Sequence, residues 1–514
     1  MSEEAVYENH IPGDGQWSPK NGFTRFLDRY FHISERGSNI LRELLGGLIT
    51  FLAMFYILPL NSNMLSSWAG VVTGDTSNVK IVEGVYYILI YGDNWATIDQ
   101  VRAAVFAATA ISAAVTTLLM GLFGHLPVGL ASALGPNSLI AYTVCLVMGF
   151  NFAQSMAIVL VDGIIFLIIS LTPLRAWVIR SIPKSLKFAI SAGIGFFIAF
   201  IGLNNMGVIV AGSASTTPVA MGDFTSLTVL LGLLGVIIVL VISSIPQKSK
   251  FGFWISKFAI IISLVFMGVL CASLGTAGVG DVETTFYDSS YHISEIGNIS
   301  KLWGACFFGF DAFASPLAIA LAFSLLFVDF FDTAGTLVGV EAGADLLDEN
   351  GLSKVDDRPA MVVDAVGTCF GAICGTTTVS SFVESTTGVA AGARTGLASV
   401  VTGLLFALSL AIYPCLAMFS SNAVTGLALV YVGICMFKSL EKLEWHDFTA
   451  LGSGFITILA MTLSYSISDG IAFGFITYTV MTLASGKFKK SDITVACCSL
   501  AFVAIYIVNF AFIE

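Results

Sequence analysis

Long apolar stretches recur along almost the whole chain, and most of them are long enough to cross a membrane. A membrane-spanning helix needs about 20 consecutive, mainly apolar residues. The pattern predicts two sets of seven such helices and one further apolar segment at the end. The first set lies at 41–60, 101–123, 127–149, 153–173, 186–210, 225–244 and 253–275. The second set follows a polar stretch and lies at 316–342, 359–377, 379–393, 395–418, 422–437, 447–465 and 469–485, with the further run at 492–512.

Lysine and arginine residues indicate how these helices are oriented. In membrane proteins the cytoplasmic loops carry an excess of both. All basic clusters fall on one side if the N-terminus is cytoplasmic and the chain crosses fourteen times. The clusters are Arg36 and Arg42; Arg175, Arg180, Lys184 and Lys187; Lys248, Lys250 and Lys257; Lys354 and Arg358; Arg394; Lys438 and Lys442; and Lys487, Lys489 and Lys490. We therefore predict a multi-pass protein with a cytoplasmic N-terminus, and leave open whether 492–512 is a fifteenth span or an interfacial helix.

The composition supports a membrane protein and excludes a soluble enzyme or a disordered chain. Hydrophobic residues make up 56% of the 514 residues and charged residues 11%, against about 25% charged in ordinary soluble proteins. The net charge of −11 gives no support to a nucleic-acid or acidic-lipid partner. The nine cysteines include no C-x-x-C motif, and we predict no metal site, no cofactor and no enzymatic activity.

The third span of each set is interrupted, which predicts a central site. Seven spans per set place the second set upside down relative to the first, as in secondary transporters built from inverted repeats. Residues 126–137 combine glycine and proline with Asn137, and residues 375–388 combine a Ser/Thr-rich run with Glu384. Each predicts a short extended stretch leading into a half-helix. Irregular backbone at membrane depth is tolerated only where protein or a wet cavity satisfies its polar groups.

Two acids of the eighth span, together with Glu384, are the strongest candidates for function. A charge inside a membrane costs roughly 2.5–3.5 kcal/mol on insertion scales, so an acid there suggests a functional role. Asp329 and Asp332 are three residues apart on one helix and lie on nearly the same face. Two buried carboxylates do not both ionise cheaply unless a cation, a ligand or a proton intervenes. We expect these two acids and Glu384 to converge mid-membrane.

Three further acids lie inside or at the edges of apolar runs. Asp364 is one turn from a predicted cytoplasmic end, where its side chain is expected to reach interfacial water. Asp469 precedes a glycine near a predicted helix start and is expected to act as an N-cap. Asp162 lies deep in an apolar run, and the sequence leaves a structural and a functional role equally open.

Several stretches of the chain resemble the AzgA-like purine permeases of the nucleobase:cation symporter superfamily. The matching stretches, in family order, are Arg42–Phe51, Ser185–Gly195, Phe327–Leu337, Val383–Leu397 and Ser464–Ala472. The resemblance implies a fold similar to that of uracil permease, all-α, with about fourteen spans in two inverted sevens. It also implies a core and a gate domain. The implied divisions are a tail at 1–38, core parts at 39–175 and 301–420, gate parts at 176–300 and 421–490, and an extra segment at 491–514.

The resemblance also implies a function. Members of this family take up adenine, guanine and hypoxanthine together with protons. By resemblance, Asn137, Asp329 and Glu384 bind the purine, and Glu384 and Asp332 couple its movement to the proton. The third span departs from the family pattern, because an aromatic pair that follows the Asn-Ala of the family is replaced here by Leu139 and Ile140. The preferred purine is therefore left open.

The sequence thus predicts proton-coupled purine nucleobase uptake across the cytoplasmic membrane. The expected partners are the purine, the proton and the lipid bilayer, and a homodimer is compatible with the sequence. A uracil or xanthine permease of the same superfamily is the main alternative. An anion transporter on the same fold is less favoured, because a site with three acids and no nearby base repels anions.

Overall fold

In a computed structural model of the chain, the apolar runs form helices. The structure describes residues 21–512 apart from 73–75, 173–182, 213–218, 247–251, 253–254, 257, 283, 285, 287–291, 345, 347–354, 420, 465–466 and 490–491. The helices are α1 (Gly22–Phe31), α2 (Ile40–Met54), α3 (Ile57–Ser67), α4 (Ile98–Leu119), α5 (Leu134–Ser138), α6 (Phe152–Leu171), α7 (Lys184–Asn205), α8 (Leu227–Ser243), α9 (Ala259–Thr276), α10 (Ile299–Leu302), α11 (Pro316–Gly343), α12 (Arg358–Cys374), α13 (Ser385–Ala390), α14 (Gly396–Leu408), α15 (Asn422–Phe437), α16 (Phe448–Leu463), α17 (Ile467–Ala484) and α18 (Ile493–Phe512). The strands are β1 (Val79–Val82), β2 (Val85–Tyr91), β3 (Asn94–Thr97), β4 (Leu130–Ser132), β5 (Ile209–Ala211), β6 (Val219–Met221) and β7 (Val379–Ser381).

Many helices begin at a residue whose side chain caps them. The first N–H groups of a helix have no partner within it, so an Asn, Ser, Thr or Asp side chain at that position stabilises the start. Asn39 accepts a hydrogen bond from the N–H of Arg42 at the start of α2. Thr97 and Asn151 begin α4 and α6 in the same way, each with a glutamine three residues later that bonds back.

Six helical segments among the described residues are long and apolar enough to cross a membrane, judged by length and composition alone. They are Ile40–Gly70, Ile98–Gly124, Phe152–Leu171, Phe188–Asn205, Ala259–Thr276 and Gly396–Cys415. Shorter apolar helices occur at Leu134–Val147, Leu227–Ser243, Pro316–Phe330, Asn422–Phe437, Phe448–Leu463 and Asp469–Ala484. The chain is therefore a mainly helical membrane protein, and the number of fourteen spans and the inverted relation of the two sets stay predictions.

The first predicted span is two helices with a break at Phe55 and Tyr56. Pro59, in the first turn of α3, has no N–H to donate, and its ring would clash with the carbonyl group of Phe55 in a continuous helix. The sequence pattern predicts one uninterrupted span at 41–60, so this break was not expected. It leaves Tyr56 between the two helices, where its side chain is buried.

The stretch between α3 and α4 forms an antiparallel sheet that the sequence analysis did not predict. Its strand order is β1-β2-β3. The middle strand is rich in β-branched and aromatic residues, and positive φ angles at Gly84 and Gly92 allow the two tight turns. Two further two-stranded sheets occur, β4 with β7 within the interrupted spans and β5 with β6, so the fold is mainly but not wholly helical.

The longer helices pack in two groups. One group consists of α2, α3, α4, α6, α12 and α14, and the other of α7, α8, α9, α15, α16 and α17. Small residues permit the closest approaches. A Cβ atom on Gly121, just beyond α4, would lie 2.5 Å from the carbonyl oxygen of Gly396 at the start of α14, so the backbones touch directly. The assignment of a core and a gate domain with the boundaries given above stays a prediction.

One expectation from the sequence needs correction, and another rests partly on residues that the structure does not describe. Asp469 lies in the first turn of α17 and not at its cap, and it accepts a hydrogen bond from the hydroxyl group of Tyr506 in α18 (2.7 Å). The C-terminal segment is thus a helix packed on α17 and α11. Several basic residues used for orientation, among them Arg175, Lys248 and Lys354, lie outside the described residues.

Candidate functional site

The two interrupted spans meet through a short antiparallel sheet. Strands β4 and β7 pair with Leu130 opposite Ser381 and Ser132 opposite Val379. Backbone hydrogen bonds extend the pair at both ends, from the N–H of Ala133 to the oxygen of Thr378 (2.9 Å) and from Phe382 to Gly129 (3.0 Å). A half-helix follows each strand, α5 after β4 and α13 after β7.

Side-chain hydroxyl groups satisfy the backbone groups that this sheet leaves unpaired. Thr117 of α4 bonds both the oxygen and the N–H of Leu130 (3.0 and 2.9 Å). The Thr368 hydroxyl donates to the oxygen of Val379 (3.2 Å), and the N–H of Gly129 donates to the Ser385 hydroxyl (3.0 Å). The Ser/Thr-rich composition of the region therefore has a physical reason, because irregular backbone inside a membrane needs partners supplied by the protein.

The two acids of α11 lie against β7 and α12, at different depths. Asp329 is fully buried and accepts a hydrogen bond from Thr368 of α12 (2.9 Å). Asp332 is partly exposed, and the hydroxyl group of Ser380 in β7 lies 3.4 Å from its Oδ2. Their electrostatic neighbours differ as well: Asp162 and Asp364 act on Asp329, whereas Glu384 acts on Asp332.

Glu384 immediately precedes α13 and lies where several helices come together. Its carboxylate accepts a short hydrogen bond from the hydroxyl group of Tyr56, at the break between α2 and α3 (2.6 Å). Besides Asp332, the side chains of Tyr431 and Cys435 on α15 interact with it electrostatically. Glu384 is partly exposed, so its carboxyl group is within reach of a substrate or a proton.

Asn137 lies in α5, just after β4, and its side chain is fully buried. Neither its amide nitrogen nor its amide oxygen has a hydrogen-bond partner among the described residues. The same short helix is packed tightly, with Gly135 beside Ile194 of α7 and Val328 of α11. An unpaired buried amide costs about 1–3 kcal/mol, so this side chain is a candidate for a hydrogen bond to a ligand.

The structure also brings together acids whose convergence the sequence analysis did not predict. Asp364 is fully buried and accepts hydrogen bonds from Thr333 (2.7 Å) and Ser381 (2.6 Å), so the expectation that it reaches interfacial water was wrong. Asp162 is fully buried as well, with the Thr378 hydroxyl 3.4 Å from its Oδ2. Both act electrostatically on Asp329. The position of Asp364 along its own helix did not indicate its burial, because β7 packs over this part of α12 and Ser381 bonds the carboxylate.

A second polar network links β4 and the residues just before β7 to the first two predicted spans. The side-chain amide of Asn61 in α3 donates to the hydroxyl groups of Thr109 (2.7 Å) and Thr376 (2.9 Å), and Thr376 also bonds Ser132 (2.7 Å). All four side chains are fully buried. The network ties the first and second spans to both crossing strands. In the sequence, the only sign of it was the presence of polar residues within apolar runs.

No group of three or more His, Cys, Asp or Glu side chains in the described part of the chain is arranged to hold a metal ion.

The fold is similar to solved structures of membrane transporters. Over 84% of this chain and 97% of that chain it matches the transmembrane domain of a cyanobacterium bicarbonate transporter, BicA, with a TM-score of 0.54 and 14% identity. It also matches SLC26A9 with a TM-score of 0.54 and 11% identity, over 86% of this chain and 65% of that chain. At such identities the likeness concerns the fold alone.

The chain belongs to the family whose model, Xan_ur_permease, carries the description "Permease family" and matches residues 85–473. It is similar to the adenine permease AdeP of Escherichia coli (strain K12), with 34% identity over 93% of this chain and 95% of that protein. It is also similar to the guanine/hypoxanthine permease PbuO of Bacillus subtilis (strain 168), with 35% identity over 90% of this chain and 95% of that protein. The resemblance to purine permeases predicted from the sequence is confirmed, and the chain is a multi-pass membrane permease.

Proposed function

We propose that this permease imports purine nucleobases such as adenine, guanine or hypoxanthine, coupled to protons, by alternating access. The names of its relatives support the class of substrate, since two of them are an adenine permease and a guanine/hypoxanthine permease. The basic residues of the sequence support a cytoplasmic N-terminus. The site is proposed to lie where β4 and β7 meet, with Asn137, Asp329 and Glu384 binding the purine.

The observation that carries the proposal is the pair of unpaired amide atoms on buried Asn137. A side-chain amide offers both donors and an acceptor, and the edge of a purine ring offers the complementary set. A purine that bonds this amide converts an unsatisfied buried group into a satisfied one, and a molecule without such an edge does not. The amide therefore provides selection for nucleobases as well as affinity.

Glu384 is proposed to carry the proton and to contact the purine. A carboxyl group removed from water favours its neutral form, and a neutral carboxyl group can donate a hydrogen bond to a ring nitrogen. The hydroxyl group of Tyr56 instead favours the ionised form, because it donates to the carboxylate. The balance between these two effects gives Glu384 two accessible protonation states, which coupling requires.

Asp332 is proposed to serve coupling, and Asp329 to bind the purine. Asp332 is the partly exposed member of the pair and interacts with Glu384, so the charge on one carboxyl group affects protonation of the other. Asp329 has one oxygen bonded to Thr368 and a second oxygen without a partner among the described residues. That second oxygen is the one proposed for the purine.

Uptake into proteoliposomes tests this function. Purified protein is reconstituted, a pH gradient is imposed with the acidic side on the side of entry, and accumulation of labelled hypoxanthine is measured. Unlabelled adenine, guanine, xanthine, uracil and bicarbonate are used as competitors, and a protonophore serves as control. We expect competition by the purines, and accumulation that the protonophore abolishes. Transport of bicarbonate without any purine uptake would overturn the proposal, and competition by uracil alone would assign the chain to a different substrate.

A further inference from the structure

Helix α1, which precedes the first span, carries apolar side chains on two sides that meet different surroundings. Leu27 and Phe31 pack on the protein in a small cluster with Ile33 and Leu397, and Phe31 is only 3% exposed. Phe23 and Phe26, by contrast, are 72% and 63% exposed. The helix is thus docked on the rest of the molecule by one apolar edge and presents the other edge outward.

The exposed aromatic side chains of α1 form one continuous stripe along the helix. With about 100° of rotation per residue, Phe23, Phe26 and Tyr30 lie within one narrow sector of the helix, because they are three and four residues apart. Phe26 and Tyr30 stack with ring centroids 6.1 Å apart. Arg25 and Arg29 lie on the flank next to Phe26, and both are exposed. The exposed part of α1 therefore combines aromatic rings with positive charge.

The acid of this helix bonds a residue other than the two arginines. Both carboxylate oxygens of Asp28 are hydrogen-bonded to Ser34, one to its N–H (2.7 Å) and one to its hydroxyl group (2.8 Å). In the described part of the chain neither Arg25 nor Arg29 forms an ion pair. Two like charges four residues apart on a helix repel each other slightly. An anion bound beside them removes that repulsion.

The position of α1 on the molecule is fixed by hydrogen bonds to the ends of spans. The hydroxyl group of Tyr30 donates to the oxygen of Leu122 (2.9 Å), next to Phe123, which is 59% exposed at the end of the second span. Arg36 donates to the oxygens of His125 (2.6 Å) and Arg394 (3.1 Å). These bonds hold α1 beside the end of the second predicted span and the residues just before α14.

We propose that the exposed edge of α1 binds the surface of the lipid bilayer, with Phe23 and Phe26 in the acyl boundary and Arg25 and Arg29 on the phosphates of anionic phospholipids. Aromatic rings flanked by basic side chains are the chemistry by which an amphipathic helix lies in a membrane interface. Lipid fits better than protein because the apolar surface of α2 begins nine residues after Phe31, with Leu41 60% exposed. The bilayer that covers α2 is therefore adjacent to α1.

Photo-cross-linking in the full-length protein tests what covers this edge. The photoreactive residue p-benzoylphenylalanine replaces Phe26, the protein is reconstituted in nanodiscs with phosphatidylcholine alone or with phosphatidylglycerol, and adducts are identified by mass spectrometry. We expect phospholipid adducts, in higher yield with phosphatidylglycerol. The matched control places the same probe at Glu35, whose side chain is 76% exposed beyond the helix, and should give few lipid adducts.

The basic residues supply the second arm of the experiment. In the protein with the probe at position 26, Arg25→Gln and Arg29→Gln should each lower the lipid-adduct yield in phosphatidylglycerol by up to about fivefold, the factor expected per basic side chain at an anionic surface. Neither change should alter the yield in phosphatidylcholine. Adducts to residues 1–20 of the same chain, or to a second copy, would overturn the proposal. A yield that is independent of both arginines would overturn the part assigned to anionic lipid.

Discussion

Two buried asparagines, Asn137 and Asn61, provide the sharpest test of the site, because the structure predicts opposite results for the same substitution. Neither side-chain amide atom of Asn137 has a partner among the described residues, whereas the amide nitrogen of Asn61 donates to Thr109 and Thr376. Leucine has a similar shape and no polar atoms. Replacing an unpaired buried polar group by an apolar one is nearly neutral or stabilising, whereas losing two formed hydrogen bonds costs about 1–3 kcal/mol.

Asn137→Leu should therefore leave the unfolding temperature of the purine-free protein unchanged or raise it, and Asn61→Leu should lower it. For purine affinity the expected effects of the two substitutions are the opposite. Asn137→Leu should weaken binding by about 1–3 kcal/mol, or roughly 5- to 150-fold, because the purine edge loses its partner. Asn61→Leu should keep its affinity. Thermal unfolding of purified protein across a range of purine concentrations measures both quantities. A destabilised purine-free Asn137→Leu protein with unchanged affinity would show that the residue is structural, and would remove it from the site.

Further outcomes follow from the same geometry. Glu384→Gln keeps a hydrogen-bond donor but cannot release a proton, so purine binding should persist while accumulation driven by a pH gradient is lost in proteoliposomes; normal accumulation would place the proton elsewhere. Epitope tags near Asp288 and Lys354, both outside the described residues, should be accessible from opposite sides of the membrane, and access from one side only would contradict the inverted repeats. Hydrogen bonds from the Ser226 hydroxyl group and from the N–H groups at the start of α8 lower the pKa of Asp281. A group with a lowered pKa stabilises the fold above its unfolded value, so Asp281→Asn should lower the unfolding temperature near pH 7 and progressively less below about pH 4; an effect of equal size at both pH values would refute the carboxylate's role.

The sequence was informative wherever a local rule forces one outcome. Twenty apolar residues have few alternatives to a membrane helix, and glycine, proline and Ser/Thr runs in two such stretches were sufficient to predict the breaks at 126–137 and 375–388. Strands β4 and β7 lie within those breaks. The presence of acids in apolar runs was sufficient to select Asp329, Asp332 and Glu384 as candidates. Placing a charged side chain inside a membrane costs free energy, so a functional role is the first explanation for it.

Contacts between distant segments could not be predicted from one sequence. The break that places Tyr56 beside Glu384 depends on Pro59, but a proline near the end of an apolar run is also compatible with a helix that simply stops there. Asp364 was expected at the interface because its depth was judged along its own helix. Its burial depends on β7, whose Ser381 is 17 residues further along the chain. Which residues face one another across the site is decided by tertiary packing.

The hydrogen bonds of the buried acids restrict how an alternating-access cycle can proceed. Asp364 joins Thr333 of α11 to Ser381 of β7, and Asp329 is joined to Thr368 of α12. Separating these elements would break three hydrogen bonds at a depth where no water replaces them, at about 1–3 kcal/mol for each group left unpaired. Under the proposed mechanism, α11, α12 and β7 therefore move as one unit. The contacts on the other side of α5 and α11 include apolar ones with α7, which can slide without leaving polar groups unpaired. The movement that exposes the site to one side and then the other is expected between that unit and α7.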